Sequence, residues 1–371
     1  MAGRPFERDD LLSIVVISYK NDRELPRTLY SLSPAFQQGV TADQYEVVVV
    51  DNGSPTPPRA RQFAKLGLDL SVVVMDDPTH SPVPAINRGL EASVGAAVCV
   101  FIDGARLASP GLVRRLREGL LTHPRAVVGS KGRYLGPVPQ RIGMRHGYDQ
   151  KVEDALLRRI DWKNNGYRLF EASVFDEPSG PRWMMQVGES NSITMSRGMW
   201  AELGGYDPAF VSRGGGYVNL DTWHRACHLP DAHPVILLGE ATFHQFHGGV
   251  ATNSPQKDVN HLHEEYKALR GHPYRRPKVE ATYLGAFVHT PPSWEFDWKD
   301  GVNFIDLVDP TGPMAGMLPS MTRATGAAAP RSWRARLVRC LRRSSVVRGV
   351  ARALPAGVRR RLKSVARRIL K

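Results

Sequence analysis

The sequence predicts an α/β fold in which a mostly parallel sheet is flanked by helices. Three observations carry this reading. Four short apolar runs rich in Val and Ile recur between residues 11 and 102, each the length of one buried strand. Segments long enough for a helix or a long turn separate them, which is the spacing of βαβ units. Each run also ends in polar residues, namely Ser18-Tyr19, Asp51, Asp76-Asp77 and Asp103. Right-handed crossovers bring such strand ends to one edge of the sheet, where open α/β sheets bind ligands.

Taken in order, residues 11–19 form the first expected strand, and Lys20, Asn21 and Asp22 turn the chain. A short helix is expected over 24–33, with Leu25, Leu29 and Leu32 on one face. Residues 45–51 are the second strand, followed by a turn at Asn52-Gly53-Ser54 and a helix over 59–66. Residues 70–75 are the third strand, 84–93 the next helix and 97–102 the fourth strand. Asp103-Gly104-Ala105-Arg106 then leads through a turn over 107–111 into a helix from Leu112, with Ser109 suited to its N-cap and Pro110 to its first turn. Asp103, at the end of the fourth strand, is the expected centre of a site.

Charge divides the chain. The formal net charge is +14, from 50 Lys and Arg against 36 Asp and Glu, and 15 of those bases lie in residues 331–371, which hold no acid. The remaining 35 bases nearly balance the 36 acids, so the body carries no basic nucleic-acid face. The three cysteines, Cys99, Cys227 and Cys340, fit no metal spacing and suit a reducing, cytoplasmic setting. The first residues offer no apolar signal segment, and no uncharged apolar run reaches the roughly 18 residues of a spanning helix.

No GxxxxGK[ST] loop is present, and the first strand is not followed by GxGxxG, so the rim is neither a Walker site nor a dinucleotide fingerprint. It offers carboxylates for a base and ribose hydroxyls, Asp77 among them, with Arg88 and Arg106 as candidate anion partners. The segments 13–21 (SIVVISYKN), 48–54 (VVVDNGS), 87–89 (NRG) and 101–106 (FIDGAR) follow one another in the order and spacing of a known family. Over roughly residues 11–250 the chain resembles the inverting family 2 glycosyltransferases of GT-A fold. That resemblance implies a Rossmann-like GT-A domain and a nucleoside-diphosphate sugar donor. It implies Ser18 and Tyr19 under the base, Asp51 on base or ribose, and Asp103 as the first acid of an Asp-X-Asp metal motif.

The third position of that motif is Ala105, which supplies no oxygen ligand for a hard cation such as Mg²⁺ or Mn²⁺. Three readings stay open. Asp103 and a remote His hold a divalent cation, or Arg106 replaces the cation's charge on the diphosphate, or the protein binds a sugar nucleotide without turnover. His247, in the segment 241–249 (ATFHQFHGG), is the expected His ligand, with His244 behind it. Residues three apart on a strand face opposite sides, so the two share a ligand only if the strand ends between them.

On the acceptor side, residues 188–196 are expected to return as a strand, and 197–203 to form a helix closed by Gly204-Gly205. The stretch 214–226 (GGGYVNLDTWHRA) resembles the place where the family carries a Gly-Gly-Glu-Asp segment with the general base. Here Asn219 or Asp221 falls at that position. Only Asp221 accepts a proton usefully, so it is the expected catalytic base, its alternative being the N-cap of a helix over 222–228. Trp162, Tyr167 and Phe170 read as core in preference to an acceptor groove.

The expected organisation is a catalytic domain over 1–310, a linker over 311–330 and a basic tail over 331–371. Within the domain a nucleotide-sugar half spans about 11–130 and an acceptor half about 131–290. In the tail, Val358, Leu362, Val365 and Ile369 keep helical register among arginines, the pattern of a helix lying on an anionic membrane surface. The resulting expectation is a peripheral enzyme at the inner face of the cell membrane, transferring sugar with inversion to a hydroxyl of a glycan or lipid-linked acceptor. The alternatives are a non-catalytic sugar-nucleotide-binding or scaffold protein tethered by the tail, and nucleic-acid binding through the tail.

Overall fold

The computed structural model describes residues 4–180, 182–247 and 260–287. The strands are β1 (Leu12–Ser18), β2 (Tyr45–Asp51), β3 (Leu70–Val74), β4 (Ala97–Phe101), β5 (Arg106–Ala108), β6 (Ala126–Leu135), β7 (Ser173–Phe175), β8 (Ser192–Ser196), β9 (His233–His244) and β10 (Thr282–Gly285). The helices are α1 (Leu25–Ser31), α2 (Val83–Ala92), α3 (Leu112–Leu120), α4 (Gln140–Met144), α5 (Gln150–Arg159), α6 (Arg197–Leu203), α7 (Val218–Cys227) and α8 (Asn260–Arg270).

The strands form one sheet in the order β10-β9-β6-β8-β4-β1-β2-β3, with β5 paired to β9 and β7 to β6. β3, β2, β1 and β4 are mutually parallel, as the βαβ spacing predicts, and β8 runs antiparallel to β4. β6, β9 and β10 are again parallel to one another. This is an α/β sheet flanked by helices as expected, parallel over β3-β2-β1-β4 and mixed where β8 joins.

Strand periodicity explains why both faces are covered. Val15, Ile17, Val48, Val50, Val98 and Val100 pack on one face with Trp200 and Trp223 from α6 and α7. Ile14, Val16, Val47, Val49, Cys99 and Phe101 pack on the other with Leu29 of α1 and Leu116 of α3. A third cluster around Leu107, Trp162, Leu169 and Phe243 closes the end of the sheet nearest β5. Trp162 packs edge-on against Tyr30 and Phe36, and Tyr167 donates from its hydroxyl to Glu240 Oε1 at 2.9 Å, so both belong to the interior. Each fully buried Val, Leu or Ile contributes about 1.5–3 kcal/mol, against about 0–1 for a surface pair such as Arg88–Glu91, so apolar burial holds this sheet.

Several local expectations change. Residues 60–66 form a 3-10 segment, Ala60–Leu66, with no buried residue to anchor a full helix, and it ends at Gly67 with φ of 65°. The expected turn at 107–108 is part of β5, whose Arg106 pairs in register with His244. Ser109 does not cap α3. Its Oγ accepts from the Ala241 N–H at 2.9 Å, and Glu240 Oε2 accepts from the Gly111 N–H at the helix start. α7 begins at Val218, so Asp221 lies inside its first turn and not at the N-cap.

Among the described residues no helix is long and apolar enough to cross a membrane. Cys99 and Cys227 are free and buried. The 310 boundary, the linker 311–330 and the tail 331–371 with Cys340 lie outside the described residues.

Candidate active site

Parallel pairing delivers the rim. Ser18 lies opposite Asp51 in register, Asp51 opposite Val74, and β4 lies on the other side of β1, so Ser18, Asp51 and Asp103 reach the same edge. The end of β4 folds tightly over β1, for the Gly104 N–H donates to Ile17 O at 2.6 Å. A Cβ at Gly104 would lie 3.0 Å from that carbonyl and 2.9 Å from Asn21 Nδ2, so the turn that carries Asp103 requires glycine there.

Asp103 uses its two oxygens differently. Oδ1 accepts from the Ala105 N–H at 2.9 Å and fixes the carboxylate on its own turn. Oδ2 lies 3.1 Å from His247 Nε2 and 3.3 Å from His244 Nε2, and the two imidazole nitrogens are 3.1 Å apart. β9 ends at His244 and the chain curls back through Gln245 and Phe246, so both rings reach one carboxylate. The position of the missing second acid, Ala105, is fully buried and contributes only its backbone.

Each imidazole has a support. Gln140, at the start of α4, donates from Nε2 to His244 O at 2.9 Å, and His244 Nδ1 pairs with Gln140 Oε1 at 2.8 Å. That pairing leaves Nε2 to face Asp103, as in ligating histidines oriented by an outer partner. Tyr134, opposite His244 on β6, meets the ring edge-on at 5.8 Å. The segment before His247 is held by α5: the Phe246 N–H donates to Glu153 Oε2 at 2.7 Å, and Arg23 Nη1 donates to Phe246 O at 3.2 Å. Burial pushes Glu153 up to about 7, with Arg23 opposing the shift.

The electrostatics of the cluster follow from burial and mutual pairing. Burial alone would raise Asp103, yet His247 and His244 hold it well below the usual carboxylate range. Burial and the positive charge of Arg106 push His244 down to about 4, against the pull of Asp103. Burial also lowers His247, but the Asp103 carboxylate outweighs it and the ring stays above its ordinary value.

The three inward atoms form the kind of donor set that holds a divalent cation. Neighbouring ligands around such an ion, at bonds of about 2.1 Å, sit roughly 3.0–3.4 Å apart, and the edges here are 3.1–3.3 Å. Two nitrogens and one oxygen favour a transition-metal ion over Mg²⁺ or Ca²⁺, which take oxygen ligands.

Arg106 lies beside the cluster at 8% exposure, and its Nε and Nη1 are buried without a hydrogen-bond partner among the described residues. A buried guanidinium with open donors is costly unless an anion meets it. Asp51 is similar in reverse: Oδ2 accepts from the Ser54 N–H at 2.8 Å, while the buried Oδ1 has no hydrogen-bond partner among the described residues. Ser18 is buried at the end of β1, and Tyr19 is 44% exposed at the rim with Lys20 Nζ 4.9 Å from its ring centre.

Of the other two expected nucleotide ligands, Asp77 is exposed on the loop that follows β3, whose Val74 lies opposite Asp51. Arg88 is turned to solvent and pairs with Glu91 at 3.4 Å, because it lies on the outer side of α2.

Asp221, the expected base, is 1% exposed and gripped on both oxygens. Arg270 Nε donates to Oδ1 at 2.7 Å, and Arg225 Nε and Arg270 Nη2 each donate to Oδ2 at 2.7 Å. This clamp ties α7 to α8 and leaves the carboxylate no free direction toward a substrate. Asn219, the other residue weighed for that position, donates from Nδ2 to Ser190 O at 3.1 Å and faces Glu189 Oε2 at 3.4 Å. Gln140, Tyr134, Glu153 and Glu189 carry no motif of their own. Only Glu189 left a trace in sequence, as a lone acid at the entry of a buried strand.

Comparison with known proteins shows several similarities. Residues 13–180 match the family model described as Glycosyl transferase family 2. A validoxylamine A glucosyltransferase of Streptomyces hygroscopicus subsp. limoneus is 31% identical over 145 residues, covering 38% of this chain and 28% of the relative. The protein of that name from subsp. jinggangensis (strain 5008) is 30% identical over 145 residues, covering 38% of this chain and 30% of the relative. The match therefore spans less than a third of the length of these curated relatives. Among solved structures, S. aureus TarS gives a TM-score of 0.45 at 13% identity, covering 78% of this chain and 42% of that one. The mannosyltransferase PcManGT from Pyrobaculum calidifontis, in complex with GDP-Man and Mn²⁺, gives 0.41 at 17% identity, covering 94% and 85%.

Proposed function

We propose, from the match of residues 13–180 to the glycosyl transferase family 2 model, that the protein transfers a sugar from a nucleoside-diphosphate donor to a hydroxyl acceptor with inversion. The observation that carries the proposal is the convergence of Asp103, His244 and His247 beside a buried guanidinium with open donors. Ser18, the Tyr19 ring and the open Oδ1 of Asp51 would take the nucleoside at the rim, with the ring stacking on the base and Asp51 accepting from a base or ribose donor.

Asp103, His244 and His247 would hold a divalent first-row transition-metal ion, with Mn²⁺ among the candidates. When bound, it supplies positive charge to the departing diphosphate. Arg106 donates to the same diphosphate and stabilises the negative charge that grows as the anomeric C–O bond breaks. The acceptor oxygen attacks the opposite face of that carbon, and the nucleoside diphosphate leaves with the bonding electrons. Asp77 and Arg88 take no part in this reading.

For the acceptor we infer a cell-surface or lipid-linked glycan. The support is the acid-free stretch 331–371 with its 15 basic residues in amphipathic register, suited to an anionic membrane surface.

The test is Arg106→Met in a nucleotide-binding titration with Mn²⁺. Charge-assisted hydrogen bonds contribute about 1.5–3 kcal/mol, so affinity for the nucleoside diphosphate is expected to fall by about 10–100-fold. An unchanged affinity would remove Arg106 from the diphosphate site and withdraw the main support for this reading.

A further inference from the structure

With the clamped Asp221 unavailable, the acceptor side needs another group to take the hydroxyl proton. Resting on the donor-site reading above, we propose that Glu189 is the catalytic base, reached from the loop before β8 and not from α7. The step balances simply: the acceptor O–H proton passes to Glu189 Oε1, the oxygen forms the new bond to the anomeric carbon, and the bond to the diphosphate breaks.

Three features of the geometry support this. First, Glu189 lies against Asn219, the other of the two residues weighed for the base beside the favoured Asp221. Its Oε2 faces Nδ2 of Asn219, at 3.4 Å, and Asn219 stands at the position weighed for that role. The carboxylate has in effect come from a neighbouring element to the side chain that lacks one.

Second, its other oxygen is open. No hydrogen bond engages Oε1 among the described residues, whereas Asp221 is held at both oxygens. Asn219 is itself fixed, by Ser190 O at 3.1 Å and by the Tyr206 hydroxyl, which donates to Asn219 Oδ1 at 3.0 Å. It can therefore orient Glu189 without competing for a proton.

Third, Glu189 shares Arg106 with the donor cluster. β8 runs antiparallel to β4 with Ser192 opposite Phe101, so the loop carrying Glu189 and the turn carrying Asp103 leave the same edge of the sheet, and the Arg106 guanidinium acts on Glu189, His244 and His247 alike. Tyr134 links the same two sides, meeting the His244 ring while feeling the charge of Glu189.

The surroundings also tune it. The charged groups acting on Glu189 are Asp176 from the loop after β7, Arg106 from β5, and Arg276 from the segment after α8, and the phenols of Tyr206 and Tyr274 feel its charge. Burial first, then the like charge of Asp176, pushes the carboxyl up to about 7, against Arg106, Asn219 and Arg276. A base with that value is deprotonated just above neutral pH and is stronger than an ordinary glutamate, as proton abstraction at that pH requires.

The experiment uses the full chain with Mn²⁺ and a set of donors, UDP-glucose, UDP-GlcNAc and GDP-mannose, with water as acceptor. Nucleoside diphosphate release is followed from pH 5 to 9, and nucleotide affinity is measured in parallel. In the wild type, release is expected to rise with pH through a midpoint near 7 as Glu189 loses its proton. Glu189→Gln keeps the shape and the Asn219 contact. It is expected to bind nucleotide within about threefold of wild type, yet to release diphosphate about 10²–10⁴-fold more slowly with the rise near pH 7 gone. Glu189→Gln/Asn219→Asp is expected to recover part of the rate, since it returns a carboxylate to the same place. A Glu189→Gln enzyme with the wild-type rate and pH profile would overturn the assignment. So would a wild type that binds donor but releases nothing across the range. A wild type that binds no nucleotide at all would instead overturn the donor-site reading beneath it.

Discussion

Asp103→Asn is expected to lower Mn²⁺-dependent nucleotide binding and diphosphate release by roughly 10²–10³-fold, the loss seen when one preorganised group at a developing charge is removed. The substitution is chosen because it separates function from folding. Asn keeps an oxygen that can accept from the Ala105 N–H, the bond that fixes the turn after β4. It removes the negative charge that faces His244 and His247 at 3.3 and 3.1 Å. Two imidazoles alone hold a divalent cation much less well, and nothing else in the described cluster replaces the carboxylate. Thermal unfolding should move little while binding collapses. Calorimetric titration checks the first part and a melting curve the second. Wild-type affinity in the variant would remove Asp103 from the donor site.

Asp221→Ala is expected to cost stability and not to change the chemistry selectively. Asp221 is buried, and it binds Arg225 and Arg270 through three bonds of 2.7 Å. Breaking a fully buried pair costs about 3–5 kcal/mol. Both arginines are about a quarter exposed and regain water, so about 2–3 kcal/mol is expected here. For a domain of this size that is a Tm lower by about 3–5 °C. The direction of the charge effect agrees, since Asp221 leads the causes that hold the Arg270 guanidinium above its ordinary value. At a temperature where the variant is folded, the pH profile of diphosphate release should keep its midpoint. A normal melting curve combined with lost turnover would return Asp221 to the role of base.

The sheet was legible because its strands obey simple rules. Residues 45–51 and 97–101 are apolar on both faces because helices cover both sides, and their polar ends mark the rim. Asp103 was legible for the same reason, as an acid closing a buried strand. What escaped depends on contacts between residues distant in sequence. β5 is only three residues long and exists because β9 pairs with it, so the juxtaposition of Arg106 and His244 has no local signature. His244 could join His247 only once β9 was seen to end between them.

Asp221 is ambiguous in sequence for a physical reason. An acid in a first helical turn after a glycine-rich loop suits a base, a cap and a buried ion pair equally. The partner that decides among them, Arg270, lies 49 residues further on. Arg88 was drawn to the rim by its place on α2, but residue type and order do not say which way its side chain turns, and it pairs with Glu91 in solvent.

The central claim is that Asp103, His244, His247 and Arg106 build a nucleoside-diphosphate site. Its most direct test is a calorimetric titration of the purified chain with UDP, GDP and dTDP, each with Mn²⁺ and again with EDTA. The account predicts that one nucleotide binds well with Mn²⁺ and loses most of its affinity when the metal is removed. Absence of binding by all three in the presence of Mn²⁺ would contradict it.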